Sequence, residues 1–309
     1  MILTITLNPA VDKTIKVNNL TLGHVNRIVS SRQDAGGKGI NVSKMIQVLG
    51  DESTAFAVIG GDTGAYIKSE VESMGINFEY VELEKATRTN IKIVDDRNQV
   101  YTDLNSSGSH IDINVKGRVD HALEKLIQND TLVVLSGSAH NGFGVAYYHN
   151  LIKWANAHGA RVILDADGDL LKEAIEAKPY LVKPNIHELE KLTGKTLATQ
   201  EDVISASQCI LDKGVTYVVV SMGEEGALCM CQDGVYSIKG MKVPVKSTVG
   251  AGDSMVAGLA VGIHKNLEIQ EIFKLGSVSA TSAVMTEGSS AGRIEDIEQL
   301  KTQIRVTQL

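Results

Sequence analysis

Along most of the chain, short apolar runs alternate with longer stretches that are apolar on one side only. Ile2–Leu7, Ala55–Ile59, Leu132–Ser136, Val162–Asp165 and Tyr217–Ser221 read as strands, and Leu132-Val133-Val134-Leu135 is apolar at every position. Strands covered on both faces have that composition, whereas half-solvated strands alternate. Ile40–Leu49, Ala65–Ser73, Val145–His158, Leu170–Ala177 and Val203–Gly214 read as helices. In the last, Val203, Ala206 and Ile210 recur at helical spacing, and Gly214 is a suitable C-cap. The alternation predicts an α/β fold with a mainly parallel central sheet sandwiched between helices.

Two regions break the alternation. Thr14–Val17 with Gly23–Val29, and Thr89–Val94 with Val100–Asn105, read as short strands with polar alternation and no helix between them. Asp95-Asp96-Arg97-Asn98 has the composition of a hairpin turn. Two hairpins of this kind can combine into a small separate sheet, and a lid over a cleft is its natural use.

Size and charge narrow the reading. The 309 residues permit one large α/β domain or two modest ones, and no repeat or Pro/Ser-rich linker divides them. The formal net charge is −7 and no basic run appears, which argues against a nucleic-acid partner. Anionic substrates would need positive charge gathered locally. No uncharged apolar run has the length of a membrane span, and strand-like Ile2–Leu7 follows Met1 without a signal-peptide pattern. The expected compartment is the cytoplasm, with no membrane partner. Cys209, Cys229 and Cys231 form no Cys-x-x-Cys pair; buried reduced thiols are the expectation, and a Cys229/Cys231 ligand pair on one strand face is the alternative.

The candidate chemistry begins at Val249-Gly250-Ala251-Gly252-Asp253-Ser254, which opens a small-residue helix running to about His264. The dinucleotide pattern fails at Met255, and Gly36-Gly37-Lys38-Gly39 is not a Walker A loop. What remains is a tight turn whose N–H groups, backed by a helix dipole, suit a phosphoryl group. Gly250, Ala251 and Gly252 are then anion-hole candidates, and Asp253 is the candidate base for an attacking hydroxyl. An ordinary turn with a carboxylate in the first helical turn is the bland alternative.

Other segments carry weaker signals. Asp34–Asn41 combines side-chain-free backbone with the charge of Lys38, and Asn41 could cap the following helix or bind a sugar hydroxyl; a flexible loop is the alternative. Asp12 follows the first strand in what could be a surface turn. Arg88, Asn90 and Lys92 share one strand face and suit a phosphorylated sugar, or simply a solvated edge. Asn185 and Glu188, three apart after Lys183-Pro184, could hold a hydrated Mg²⁺ or form a helix cap; His187 reads as a surface residue. Ser221-x-Gly223-x-x-Gly226 and Ser136-Gly137-Ser138 follow strand ends, where open α/β sheets bind ligands.

In this order the motifs resemble the ribokinase/PfkB family of sugar kinases over essentially the full chain. The matches are Gly36-Gly37-Lys38-Gly39, Ser136-Gly137-Ser138, Lys183-Pro184-Asn185-x-x-Glu188, Ser221-x-Gly223-x-x-Gly226 and Gly250-Ala251-Gly252-Asp253. The resemblance implies a ribokinase-like fold: a Rossmann-like three-layer αβα sandwich forming one domain over 1–309, with a β-sheet lid from segments 10–32 and 87–108. It also implies ATP as co-substrate, Mg²⁺, and a homodimer contact through the lid. Thr6-Leu7-Asn8-Pro9-Ala10-x-Asp12 is similar to the branch acting on phosphorylated hexoses, and within it Thr87-Arg88-x-Asn90-Ile91-Lys92 is most similar to the enzymes that phosphorylate fructose 1-phosphate to fructose 1,6-bisphosphate; the enzymes acting on tagatose 6-phosphate share the first motif and compete. A sugar-phosphate-binding protein without catalysis is the reading from another class, and an intact Asp253 argues against it.

By the same resemblance Asp12, Gly37, Lys38, Asn41, Arg88, Asn90, Lys92 and Ser138 face the sugar phosphate. Lys183, Asn185, Ser221, Gly223, Gly226, Gly250 and Gly252 face ATP, Asn185 and Glu188 hold the metal through water, and Asp253 is the base. Ala139-His140-Asn141-Gly142 departs from the family's Leu-Pro continuation beside the sugar.

Overall fold

The computed structural model describes residues 1–288 and 290–309. Its first elements are β1 (Ile2–Thr6), β2 (Ala10–Val17), β3 (Ile28–Gly36) and α1 (Lys38–Val48). Next come β4 (Ser53–Gly60), α2 (Gly61–Ser73), β5 (Asn77–Leu83), β6 (Arg88–Asp95), β7 (Val100–Leu104) and α3 (Ile113–Leu126). The middle of the chain forms β8 (Leu132–Ser136), α4 (Tyr147–Ala157), β9 (Arg161–Asp165), α5 (Gly168–Ile175), β10 (Leu181–Val182) and α6 (Ile186–Thr193). After α7 (Gln200–Leu211) come β11 (Tyr217–Ser221), β12 (Gly226–Cys231) and β13 (Gly234–Lys239). The chain closes with α8 (Ala251–His264), α9 (Ile269–Val284), α10 (Ile294–Lys301) and β14 (Val306–Gln308).

Ten strands form one sheet in the order β14-β13-β12-β11-β10-β9-β8-β1-β4-β5. From β5 to β11 all neighbours are parallel; β12, β13 and β14 extend the sheet in antiparallel fashion. The apolar strand runs are explained by what covers them. Val133 and Leu135 enter a core with Leu123, Leu151, Leu171, Leu189 and Val203 from helices on one face. Leu132 and Val134 enter another with Met45, Val256, Leu259 and Phe273 on the opposite face. Each such buried side chain contributes roughly 1.5–3 kcal/mol. The small residues of α8 let it cross α9 closely: a Cβ on Gly258 would lie 2.5 Å from the Leu275 carbonyl oxygen.

The two hairpin regions form a separate four-stranded sheet, ordered β3-β2-β6-β7, with β2 and β6 parallel and the outer pairs antiparallel. Its β3 starts at Ile28 rather than Gly23 and continues to Gly36, seven residues beyond the expected end at Val29. Asn26 explains the late start, because its side chain exchanges hydrogen bonds with the Thr21 backbone and holds a polar connection before the strand. The loop expected over Asp34–Gly39 is therefore only Gly37 (φ 120°), after which α1 begins at Lys38. Asn41 lies within the helix and does not cap it. Similarly, α7 ends on Asp212, and Gly214 lies beyond it. Cys209 is exposed, contrary to expectation, while Cys229 and Cys231 are buried in β12. No helix among the described residues is long and apolar enough to cross a membrane.

Candidate active site

The carboxyl ends of β1, β8, β9 and β10 open on one edge of the large sheet, where α1 and α8 begin and the small sheet stands opposite. Between them lies a cleft of about 520 Å³. It is lined by the sequence-predicted residues Asp12, Gly37, Lys38, Asn41, Arg88, Asn90, Lys92, Ser138, Lys183, Asn185, Glu188, Gly250, Gly252 and Asp253. Ala251, Ser221, Gly223 and Gly226 are not among its lining residues.

Asp253 sits in the first turn of α8, which Gly250 enters in the left-handed conformation (φ 79°) without a side-chain cap. N–H groups in a first turn lack helical acceptors, so this end stays electropositive. Ala251 instead donates a long 3.5 Å bond to the Thr248 carbonyl, back toward its own turn. The Asp253 carboxylate is 6% exposed and accepts a 2.8 Å hydrogen bond from Asn41 Nδ2. Burial, and then the Asp165 charge, push its pKa up to about 6, against the pull of Lys38, Asn41 and Lys183.

Asp165, at the end of β9, is a site residue that the sequence reading missed. The available signal is an apolar strand run closing on a single carboxylate at the sheet edge where ligands bind. Its Oδ2 lies 3.3 Å from Lys38 Nζ and its Oδ1 lies 3.3 Å from Lys183 Nζ. Burial opposes the Asp165 charge, but the two ammonium groups outweigh it and lower the pKa. Burial likewise opposes the Lys38 charge, and Asp165 and Asp253 overcome it to hold that lysine above its ordinary range.

At the other end of the cleft, strand register pairs Ala10 with Arg88, Asp12 with Asn90 and Thr14 with Lys92. Asn90 Nδ2 donates to Asp12 Oδ1 at 3.0 Å, and Lys92 Nζ lies 3.6 Å from Asp103. Burial raises the Asp12 pKa despite Asn90, Lys44 and Arg88. Arg88 donates to the carbonyls of Asn8 (2.9 Å), Pro9 (3.3 Å) and Ser106 (2.6 Å). The segment after β7 is further held by Asn8, which donates to the Ser107 carbonyl, and by Asn90, which accepts from the Ser106 amide. His140, from the loop that departs from the family pattern, is buried and hydrogen-bonds the Ser109 carbonyl through Nδ1 at 3.0 Å. Burial lowers its pKa. Thr6 Oγ1, Asn8 Oδ1, Asn41 Oδ1 and Ser136 Oγ are buried without a protein partner, and all four residues line the cleft. Such groups are costly in a core, roughly 1–3 kcal/mol each, and useful where a polar ligand binds.

Beyond Lys183, Asn185 caps α6 in a full capping box: its Oδ1 accepts from the Glu188 amide, and Glu188 Oε2 accepts from the Asn185 amide at 2.8 Å. The second Glu188 carboxylate oxygen takes no part in the box. No cluster of three or more His, Cys, Asp or Glu suited to a metal occurs among the described residues. Ser221 ends β11 beside Asn185 and donates to the Pro184 carbonyl. Gly223 opens a single 3₁₀ turn, and Gly226 (φ 105°) packs against the Ile238 carbonyl, where no side chain fits.

Sequence comparison shows the family. The pattern of the pfkB family carbohydrate kinases matches residues 5–296. The chain belongs to the PfkB family of carbohydrate kinases. This PfkB chain is accordingly a phosphotransferase of ribokinase-like fold. It is 34% identical to the 1-phosphofructokinase of Bacillus subtilis (strain 168) over 310 residues, covering 100% of both chains. It is 37% identical to the 1-phosphofructokinase of Xanthomonas campestris over 298 residues, 94% of this chain and 93% of that one. Phosphofructokinase-2 from Escherichia coli, solved in complex with substrates and products, superimposes with a TM-score of 0.93 at 28% identity over 98% of each chain.

Proposed function

We propose that this kinase transfers the γ-phosphoryl group of ATP to a hydroxyl of fructose 1-phosphate, giving fructose 1,6-bisphosphate and ADP. The observation that carries the reading is Asp253, a buried carboxylate of raised pKa (about 6) at the uncapped start of α8, in a cleft with cations at both ends. A base of that strength is ionised at neutral pH and accepts a proton from a hydroxyl whose O–H bond weakens late in a loose transition state. The hydroxyl oxygen attacks phosphorus, the bond to the ADP oxygen breaks, and the proton passes to Asp253. Asn41 orients the carboxylate, and the N–H groups around Gly250 and Gly252 take up charge on the transferring group.

The acceptor fits the end bounded by Asp12, Asn90, Lys92 and Arg88, with Gly37, Lys38, Asn41 and Ser138 beside it. The naming of the relatives as 1-phosphofructokinases supports fructose 1-phosphate. ATP fits along Lys183, Asn185 and Gly250–Gly252, with Ser221, Gly223 and Gly226 at the outer rim. The donor set fits Mg²⁺ held largely through water: Glu188 has one uncommitted oxygen, whereas Asn185 Oδ1 is engaged with the Glu188 amide. Mg²⁺ bound with the nucleotide would neutralise charge on its β- and γ-phosphate oxygens.

We read residues 1–309 as one kinase unit in the cytoplasm, with the small sheet as its lid. The lid face away from Asp12, Asn90 and Lys92 carries Ile15 opposite Ile93 and Ile91 opposite Leu104, which suits the same face of a second copy. ADP release measured with fructose 1-phosphate, fructose 6-phosphate, tagatose 6-phosphate and unphosphorylated hexoses tests the assignment. The highest kcat/KM is expected for fructose 1-phosphate; preference for tagatose 6-phosphate would reassign the acceptor, and no turnover of any sugar would remove the reading.

A further inference from the structure

We propose that Asp165 is a positioning residue for phosphoryl transfer, fixing the ammonium groups of Lys38 and Lys183 beside Asp253 and the open end of α8. The inference rests on the kinase reading above and adds a role for a residue that contributes no proton.

The argument starts from placement. Asp165 ends β9 with Ser136 as its register partner on β8, and the Lys183 amide donates to the neighbouring Leu164 carbonyl. Lys38 arrives from a third direction, as the first residue of α1. One carboxylate thus spans two cations delivered by separate elements. Its side chain is 1% exposed and that of Lys183 is 4% exposed. Among the described residues, Asp165 is the only carboxylate in ion-pair contact with either lysine. Lys183 Nζ also lies 3.4 Å from where a Cβ on Gly252 would sit, so it stands directly against the phosphate-facing turn.

Stability is a poor explanation for this triad. Replacing a buried ion pair such as Asp165–Lys183 with apolar side chains of similar volume is commonly neutral or stabilising, and solvent screens the pair with Lys38, which is 39% exposed. The two 3.3 Å contacts are also longer than a well-formed charge-assisted hydrogen bond, for which about 2.7–2.9 Å is usual. What the carboxylate does supply is location. Without it, two neighbouring ammonium groups on flexible stems would repel each other and lean toward solvent. With it, both positive charges are in place before a nucleotide arrives, which is how fixed charge lowers a barrier without reorganisation.

The same network acts on Asp253. The charges acting on Asp253 are Asp165 from β9, Lys38 and Lys44 from α1, and Lys183 after β10, with Glu188 acting on Lys38 in turn. Asp165 raises the Asp253 pKa and the lysines lower it, so a neutralised Asp165 and a displaced lysine pair act on that pKa in opposite directions.

The test uses the full chain, with kcat and KM measured separately. Asp165→Asn is expected to lower kcat roughly a hundredfold with the sugar-phosphate KM within about threefold of wild type, a split that a merely structural role would not produce. Asp165→Glu keeps the charge and displaces the lysines by one methylene, so kcat remains at least tenfold low. It carries the test should the Asn variant not fold. Wild-type kcat in Asp165→Asn or Asp165→Glu, or a loss confined to KM, would each overturn the proposal. Wild-type protein inactive on every sugar is a different failure, that of the kinase reading itself.

Discussion

Asp253 combines two properties that conflict in a purely structural residue: it is buried, and the proposed mechanism requires its ionised form. Its folded-state pKa of about 6 exceeds the ordinary 3.8, so the folded state holds the proton more tightly than the unfolded one. This carboxyl therefore favours folding at low pH, and its contribution falls as pH rises through about 4 to 6, leaving a net cost at neutrality. Asn in its place removes the cost and keeps an oxygen for the Asn41 donor. Asp253→Asn is expected to fold with a Tm equal to wild type or a few degrees higher at neutral pH. It should lose roughly three or more orders of magnitude in kcat, because orientation and proton acceptance fail together. In the wild type, kcat should fall below an inflection near pH 6. Thermal melts and pH–rate profiles check both; near-normal turnover in the variant would remove the proposed base.

Among the elements, α6 and the segment after β7 each combine a structural task with a proposed functional one. The Asn185–Glu188 box caps α6 with one carboxylate oxygen and leaves the other toward the cleft. Glu188→Gln can still accept from the Asn185 amide, so the melting temperature should stay within about 2 °C. The Mg²⁺ concentration for half-maximal rate should rise about tenfold, as one anionic charge near the metal is lost; unchanged Mg²⁺ dependence would take Glu188 out of metal binding. Arg88 holds the carbonyls of Asn8, Pro9 and Ser106 around the acceptor end. Arg88→Ala is expected to raise the sugar-phosphate KM roughly 10–100-fold and the ATP KM less than threefold, and equal effects would move it out of that pocket. These elements also show how far the sequence could be read. The apolar strands were legible because burial on both faces leaves no room for alternation. Contiguous loops such as Gly250–Asp253 were legible because their chemistry is local. The Asp165 contacts were not, because they join residues 127 and 18 positions apart in chains of otherwise unremarkable Lys and Asp (Lys38–Asp165 and Asp165–Lys183). The bond from Asn41 to Asp253 was not legible either, because it spans 212 positions, and the local sequence left both a helix cap and a sugar contact open for Asn41.

For the whole molecule, the small sheet is the part whose environment is incomplete. A two-sided sheet of four strands needs apolar cover on one face to be independently stable. Its cleft face is polar, and its other face aligns Ile15, Ile91, Ile93 and Leu104 across three strands. Leu104 is 52% exposed, and Ile28, Val29 and Tyr101 on the same sheet are exposed as well. A second copy meeting this face around a twofold axis would bury each residue twice, since such an interface is self-complementary. At roughly 1.5–3 kcal/mol per buried side chain, one substitution would then remove about 3–6 kcal/mol from the dimer. That corresponds to roughly a 10²–10⁴-fold weaker dimer Kd. Leu104→Asp lies on an exposed position and should leave the fold of the large sheet intact. Sedimentation of the wild type should give twice the chain mass at micromolar concentration, and the variant should sediment as a single chain with an unchanged far-UV spectrum. A wild type that remains a monomer, or a variant that stays dimeric, would place the contact on another face.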